Sequence, residues 1–155
     1  MSTVFWSESP SDGDYAIELQ WPVGWGDLDS FGHVNNAVYF RYFEHARIHY
    51  FQEIGMLDQM EASGIGPILA RTDCRFRRAV SFPDSLSLST RVATLGSDRF
   101  SMHYRLRSEQ QNDVVAYGSG DIVMFDYRNN CKAPLPDTLR AKITKLEGYA
   151  AKKEL

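Results

Sequence analysis

No stretch of this sequence is long and apolar enough to span a bilayer, which takes roughly 20 consecutive apolar residues. An excess of one charge is missing too. The chain has 17 Lys and Arg against 20 Asp and Glu, a formal net charge of −3. That balance gives no electrostatic case for a nucleic-acid partner. Cysteine is scarce, with Cys74 and Cys131 the whole complement. Neither sits in metal-ligand spacing, and the pair fits a reducing compartment better than a disulfide framework. Cys74 reads as a small packed hydrophobe rather than a reactive thiol. The opening stretch, MSTVFWSESPSDGDY, has neither the basic n-region nor the apolar h-region of a secretory leader, so a cytoplasmic protein is expected. No GxSxG elbow occurs, which removes support for a Ser-His-Asp hydrolase. There are no internal repeats, low-complexity tracts or linkers. At 155 residues and 43% hydrophobic, the chain has material for one domain with its own core.

What is present is organised around Trp25 to Phe51, WGDLDSFGHVNNAVYFRYFEHARIHYF. The stretch opens with a polar turn that carries Asp27, Asp29 and His33. From Ala37 its polarity collapses. Tyr39, Phe43, Ala46 and Tyr50 follow the three-then-four spacing of a helix face, and Phe40 and Phe51 widen it. Arg41, His45, His49 and Gln52 form only a narrow polar stripe. Such a helix needs cover on most sides. Asn35 and Asn36 are good N-cap residues, and Gly55 marks the end. A loop with carboxylates therefore runs into a helix N-terminus. Free N–H groups and the helix dipole there favour negative charge, and can stabilise an oxyanion.

Around this stretch the pattern is one of strands. Residues 1–13 read as a flexible N-terminus, leaving 14–155 as a single domain. Tyr15, Ile17, Leu19 and Trp21 alternate with polar residues, as in a half-buried strand. Residues 56–66 read as a short helical piece and a Gly-rich connector. From Pro67 the period is two, with Ile68, Ala70, Thr72, Cys74 and Phe76 on one face. Leu69, Arg71, Asp73, Arg75 and Arg77 take the other. Further strands follow at Ser85–Val92, Phe100–Arg107 and Val114–Tyr127, joined by polar turns that imply antiparallel neighbours. Gly118 and Gly120 share one face of the last, where a bulge or a close approach by another backbone is expected. Residues 128–138 read as a loop, and Thr138 to Gly148 as a terminal helix with Leu139, Ile143 and Leu146 on one side. The fold class is α+β: a long central helix wrapped by a curved antiparallel sheet.

The helix entry, Asp29-Ser30-Phe31-Gly32-His33-Val34-Asn35-Asn36, with Tyr39 three residues into the helix, resembles the hydroxybenzoyl-CoA thioesterase family of the hot-dog fold. FEHAR, Phe43 to Arg47, is similar to that family's FExAR. The likeness of strand order covers roughly residues 14–145. DLDSFGHVNN also resembles the plant acyl-ACP thioesterase motif, except that Phe31 stands where that motif has Asn. The resemblance implies an acyl-CoA thioesterase with Asp29 as catalytic carboxylate. It places the carbonyl-polarising N–H at Asn36, near Gly32 and Tyr39. It also implies a homodimer or homotetramer with sites between protomers, and no metal or cofactor beyond the coenzyme A of the substrate. Neither a nucleic-acid nor a membrane partner is expected.

A carboxylate can act as a general base on water or attack a carbonyl itself. Asp29 is the candidate, with capping the turn as its bland alternative. Asp27 reads as a structural or orienting carboxylate. His33 is open between orienting Asp29, positioning water and satisfying loop backbone. Glu44 and Arg47 are placed to pair, with each other or across a subunit contact. His45 and His49 have metal-ligand spacing but no third ligand, so solvated or interface histidines are expected. Arg71, Arg75, Arg77 and Arg78 form the concentrated positive charge. The alternatives are a solvated sheet face and a coenzyme A phosphate contact through Arg75 and Arg77. Two competing functions remain open: an acyl-carrier-protein thioesterase and a non-catalytic acyl-binding hot-dog domain.

Overall fold

A computed structural model describes residues 15–148 and 153–154; the expected flexible segment 1–13 lies outside the described residues. The strands are β1 (Ile17–Pro22), β2 (Ile65–Phe76), β3 (Ser85–Leu95), β4 (Arg99–Ser108), β5 (Asp113–Asp126), β6 (Cys131–Lys132) and β7 (Lys153–Glu154). The helices are α1 (Asn36–Glu53), α2 (Met56–Ser63) and α3 (Asp137–Glu147). One sheet runs β1-β3-β4-β5-β2, all antiparallel, with β6 beside β5 and β7 parallel to β3. The α+β class and the central helix are as expected. The expected loop at 128–138 contains the short β6.

The sheet's inner face is apolar because its strands alternate. Leu86, Leu88, Val92, Met102, Leu106 and Ile122 are fully buried there. Against them lies α1. Asn35 is its cap, with the Oδ1 accepting the Ala37 N–H at 3.0 Å, and Asn36 is its first helical residue. Gly55 stops it in the left-handed region at φ 72°. Tyr39, Tyr42, Phe43, Ala46, Tyr50 and Phe51 are buried, while Arg41, Glu44, Ile48 and Gln52 stay exposed along one side. Ile48 is apolar but exposed, because it falls on the side facing away from the sheet.

At Gly118 the expected close approach by another backbone is present, with the Asp73 carbonyl 3.0 Å from an added Cβ, but a side chain comes closer. A Cβ at Gly118 would lie 2.3 Å from the Phe43 ring. The closest approach is therefore by an aromatic side chain of α1, and Tyr104 stacks on the same ring at 4.7 Å and 12°. The irregularities of register lie elsewhere, between Leu69 and Arg71, Val92 and Thr94, and Leu106 and Arg107.

The irregularity at Ala70 corrects the reading of β2. Strict alternation put Ile68 on the inner face and Leu69 on the outer. In the sheet Leu69 pairs with buried Ile122, and Ile68 pairs with Val123. One unpaired residue reverses the parity of everything before it. Beyond Ala70 the expected parity holds: Cys74 packs on the core and Phe76 meets Tyr39, while Arg71 and Asp73 face outward. β2 also begins earlier than expected, at Ile65.

Gly118→Ala should lower unfolding free energy by about 1–3 kcal/mol, the usual cost of overpacking a filled core. Gly26→Ala, where nothing lies within 4 Å of the added Cβ, should change it by less than about 0.5 kcal/mol. Urea titration of both variants followed by circular dichroism measures the contrast.

Candidate active site

The loop from Gly24 to Asn35 is folded by its own carboxylates. A short 3-10 turn, Trp25–Asp27, starts it. Asp27 Oδ2 accepts the Gly24 N–H and the Tyr42 hydroxyl, each at 2.9 Å. The Asp27 carbonyl accepts the Asn35 N–H at 2.9 Å. Asp27 therefore ties the turn to α1 from both its side chain and its backbone, which agrees with a structural carboxylate. Burial first, and then the Asp27 carboxylate, push the Tyr42 hydroxyl well above the ordinary phenol range, so it stays a donor.

Asp29 sits one register further in, beside the isolated bridge between Leu28 and Val34. Its N–H donates to the His33 carbonyl at 2.7 Å, and its own carbonyl accepts the Gly32 N–H at 3.1 Å. Its Oδ1 accepts the Phe31 N–H at 2.8 Å and the His33 N–H at 3.3 Å. This is the local side-chain turn for which Asp is suited. Gly32 has φ 81°, the left-handed conformation that glycine adopts without strain. The other oxygen, Oδ2, has no donor among the described residues. Asp29 is half-buried, so the free oxygen belongs to a carboxylate whose position is fixed.

His33 reaches Asp29 through its backbone. Its imidazole is exposed and makes no hydrogen bond among the described residues. At the helix start, Asn35 serves the Ala37 and Val38 N–H groups, at 3.0 and 2.9 Å. The Asn36 N–H is left without an acceptor among the described residues. It is a free donor at the positive end of an 18-residue helix.

Tyr39 lies behind this loop rather than in the open. It is 3% exposed, its ring 4.9 Å from Phe76, and burial with nearby Cys74 pushes its hydroxyl up to about 12. The Cys74 thiol is likewise pushed up to about 12 by burial and by Asp73, in keeping with a packed, unreactive cysteine. The segment after β2 passes next to the loop: the Val34 N–H donates to the Val80 carbonyl at 2.8 Å. The roles of Tyr42 and Val80 were not read from the sequence. Tyr42 stands among the other aromatic residues of the helix with no local sign of a polar role, and nothing local links Val80 to a loop so far back in the chain.

The arginine cluster divides. Arg71 is held by Asp73 and Asp121, the latter at 2.9 Å. Arg77 was expected on the β2 face, but the strand ends at Phe76. Arg77 and Arg78 both turn to Asp113, at 3.9 and 2.8 Å. Arg75 remains exposed with no ion pair among the described residues. Arg47 lies 3.9 Å from Glu44, as expected, and is also buried, donating to the Tyr104 hydroxyl at 3.2 Å. His45 stacks on Trp21 at 3.9 Å, and His49 lies 3.9 Å from Glu53. No group of three metal-ligating side chains occurs among the described residues.

With this geometry in view, residues 23–143 match the model of the thioesterase-like superfamily. A solved thioesterase from Thermus thermophilus, described as complexed with coenzyme A and Zn, superposes with a TM-score of 0.76 at 32% identity. That match covers 88% of this chain and 98% of the solved one. The long-chain acyl-CoA thioesterase FadM of Escherichia coli (strain K12) is 24% identical over 119 residues, 77% of this chain and 90% of that protein. The uncharacterized protein YsmA of Bacillus subtilis (strain 168) is 30% identical over 82 residues. The match to YsmA spans 53% of this chain and about half of that protein, 54%. The curled antiparallel sheet around α1 is the hot-dog fold of these thioesterases, and the chain belongs to the thioesterase-like superfamily.

Proposed function

We propose that the protein hydrolyses acyl-CoA thioesters to the free acid and coenzyme A, with Asp29 as the catalytic carboxylate. The observation that carries this reading is that two groups are unspent, one on the loop and one on the first residue of the helix it enters. Asp29 has one oxygen fixed by two N–H donors and the other free, and the Asn36 N–H has no acceptor. A thioester uses both. Its carbonyl oxygen accepts the Asn36 N–H, which strengthens as negative charge develops in the tetrahedral state. Its carbonyl carbon is attacked by water that gives a proton to Asp29, or by Asp29 itself to form an anhydride that water then opens. As the C–S bond breaks, coenzyme A departs as a thiolate; it takes the proton held by Asp29 in the first route, and in the second a proton from solvent, balanced by the one that water releases on opening the anhydride. Thiols are acidic enough, with pKa about 8.5, that no strong general acid is required. Family membership and the acyl-CoA thioesterase named among the relatives support the same chemistry.

Arg75 is the member of the arginine cluster whose charge is unspent, and it suits the nucleotide phosphates of coenzyme A. The bound coenzyme A of the Thermus relative supports that ligand class. The proposed unit is a dimer or tetramer. β2 is an outermost strand of 12 residues whose far edge has no partner among the described residues, and Leu69 and Phe76 on it are exposed.

The decisive test is thiol release from a panel of acyl-CoAs. Asp29→Asn should lower turnover about a hundredfold or more, the scale of a lost general base. Asp27→Asn should cost much less turnover and more stability, since it weakens the Tyr42 tie. A folded Asp29→Asn enzyme with near-native turnover would overturn the assignment.

Arg75→Ala should raise KM for an acyl-CoA more than for the matching acyl-pantetheine. Equal effects on both would return Arg75 to a solvated face. Light scattering at micromolar concentration should give a dimer or tetramer, and an active monomer would refute the assembly.

A further inference from the structure

Exposed aromatic side chains gather on the two segments that meet at the candidate site. Trp25, Phe31, Phe76 and Phe82 all lie within 24–35 and 76–84. The segments are tied by the Val34 N–H to the Val80 carbonyl and by the Val23 N–H to the Asp84 carbonyl, at 2.8 and 2.9 Å. Trp25 and Phe82 meet edge to face at 5.6 Å. Phe76 leans on Tyr39. Phe31 differs from the rest. It is 84% exposed, has no ring partner among the described residues, and its own N–H holds Asp29 Oδ1. A turn of this kind is served by Asn, Ser, Asp or Gly, and gains nothing local from a bulky apolar ring.

We propose that Phe31 is a specificity-determining residue. Its ring contacts the acyl chain of the bound thioester and, with the Trp25–Phe82 pair, forms an apolar rim that favours extended apolar acyl groups over acetyl. The inference rests on the thioesterase reading and adds the substrate class. Phe31 shares its turn with Asp29, whose Oδ2 is unspent, and that turn leads into the helix that opens with the unspent Asn36 N–H. A thioester supplies all three needs at once: an oxygen for the N–H, an electrophilic carbon for the carboxylate and a hydrocarbon chain for the rim.

The test compares kcat/KM for decanoyl-CoA and acetyl-CoA in the wild type, Phe31→Ala, Phe31→Leu and Trp25→Ala, with folding checked by circular dichroism. In Phe31→Ala the decanoyl-to-acetyl ratio should fall roughly tenfold, the scale of a lost apolar contact in a specificity pocket. Phe31→Leu should largely preserve it. Trp25→Ala, at a separate position of the rim, should lower it as well. A uniform loss on both substrates with the ratio unchanged would overturn the inference and leave the thioesterase reading standing, with Phe31 only supporting the Asp29 turn. An unchanged ratio together with a smaller assembly in light scattering would assign the face to a second copy. Absence of hydrolysis by the wild type on every thioester would overturn both readings.

Discussion

The structure depends on one close contact, the Phe43 ring of α1 seated against Gly118 of β5. A side chain at Gly118 would occupy the place of the ring. Without a Cβ there, the helix sinks toward the sheet far enough for Tyr104 to stack on the same ring. That depth decides what α1 buries and which side it leaves open. It also brings buried Arg47 to the Tyr104 hydroxyl, so the guanidinium keeps a hydrogen bond where water is largely excluded. The far end of α1 is settled in the same way. Tyr50 donates to Glu147 of α3 at 2.6 Å, and the same carboxylate oxygen accepts the Val92 N–H at 3.0 Å, beside the register shift in β3. Burial raises the Glu147 pKa, so the contact carries a cost that its two donors offset.

The loop inherits its position from that helix. Tyr42 is one residue before Phe43, and its hydroxyl is the outside support of Asp27. Asp27 in turn holds Gly24 and Asn35, which fixes the ends of the turn containing Asp29. The two carboxylates are two residues apart and chemically alike. Their surroundings separate them: Asp27 is tied to a buried phenol of α1, whereas the Asp29 side chain is held only by N–H groups of its own turn. Division of labour between neighbouring carboxylates by environment is a common way to obtain distinct roles from one residue type.

The outer face of the sheet is more ionic than a simple solvated face. Arg71 is enclosed by Asp73 and Asp121, and Ser119 donates to Asp73 at 2.9 Å. His103 lies in the same row across the sheet, paired with Arg91 on one side and Ser119 on the other. Burial, joined by the Arg91 charge, lowers its pKa to about 4, so the imidazole is neutral at ordinary pH. Arginines counted as one patch in the sequence are thus mostly matched by acids, with Arg75 the exception.

The sequence by itself determined the five long strands, the helices, their order and the polar entry loop of α1, but not the two-residue strands β6 and β7. Those follow from periodicity, capping residues and turn chemistry, which act over a few neighbouring residues. Resemblance to a known family grouped Asp29, Gly32 and Asn36 as one motif, and the Asp29 turn itself is local, since each of its hydrogen bonds spans four residues or fewer. Tertiary structure decided what depends on partners far along the chain. The parity of β2 before Ala70 is one such case, because a single unpaired residue leaves no trace in an alternating pattern until the strand is laid against β5. The fate of Arg77 is another, because Asp113 is adjacent only once β2 and β5 are side by side. The role of Asp27 required Tyr42, fifteen residues on, and the exposure of Phe31 required the rest of the core to close without it. Local patterns carry local forces; which groups remain unspent is fixed only when the whole chain has packed.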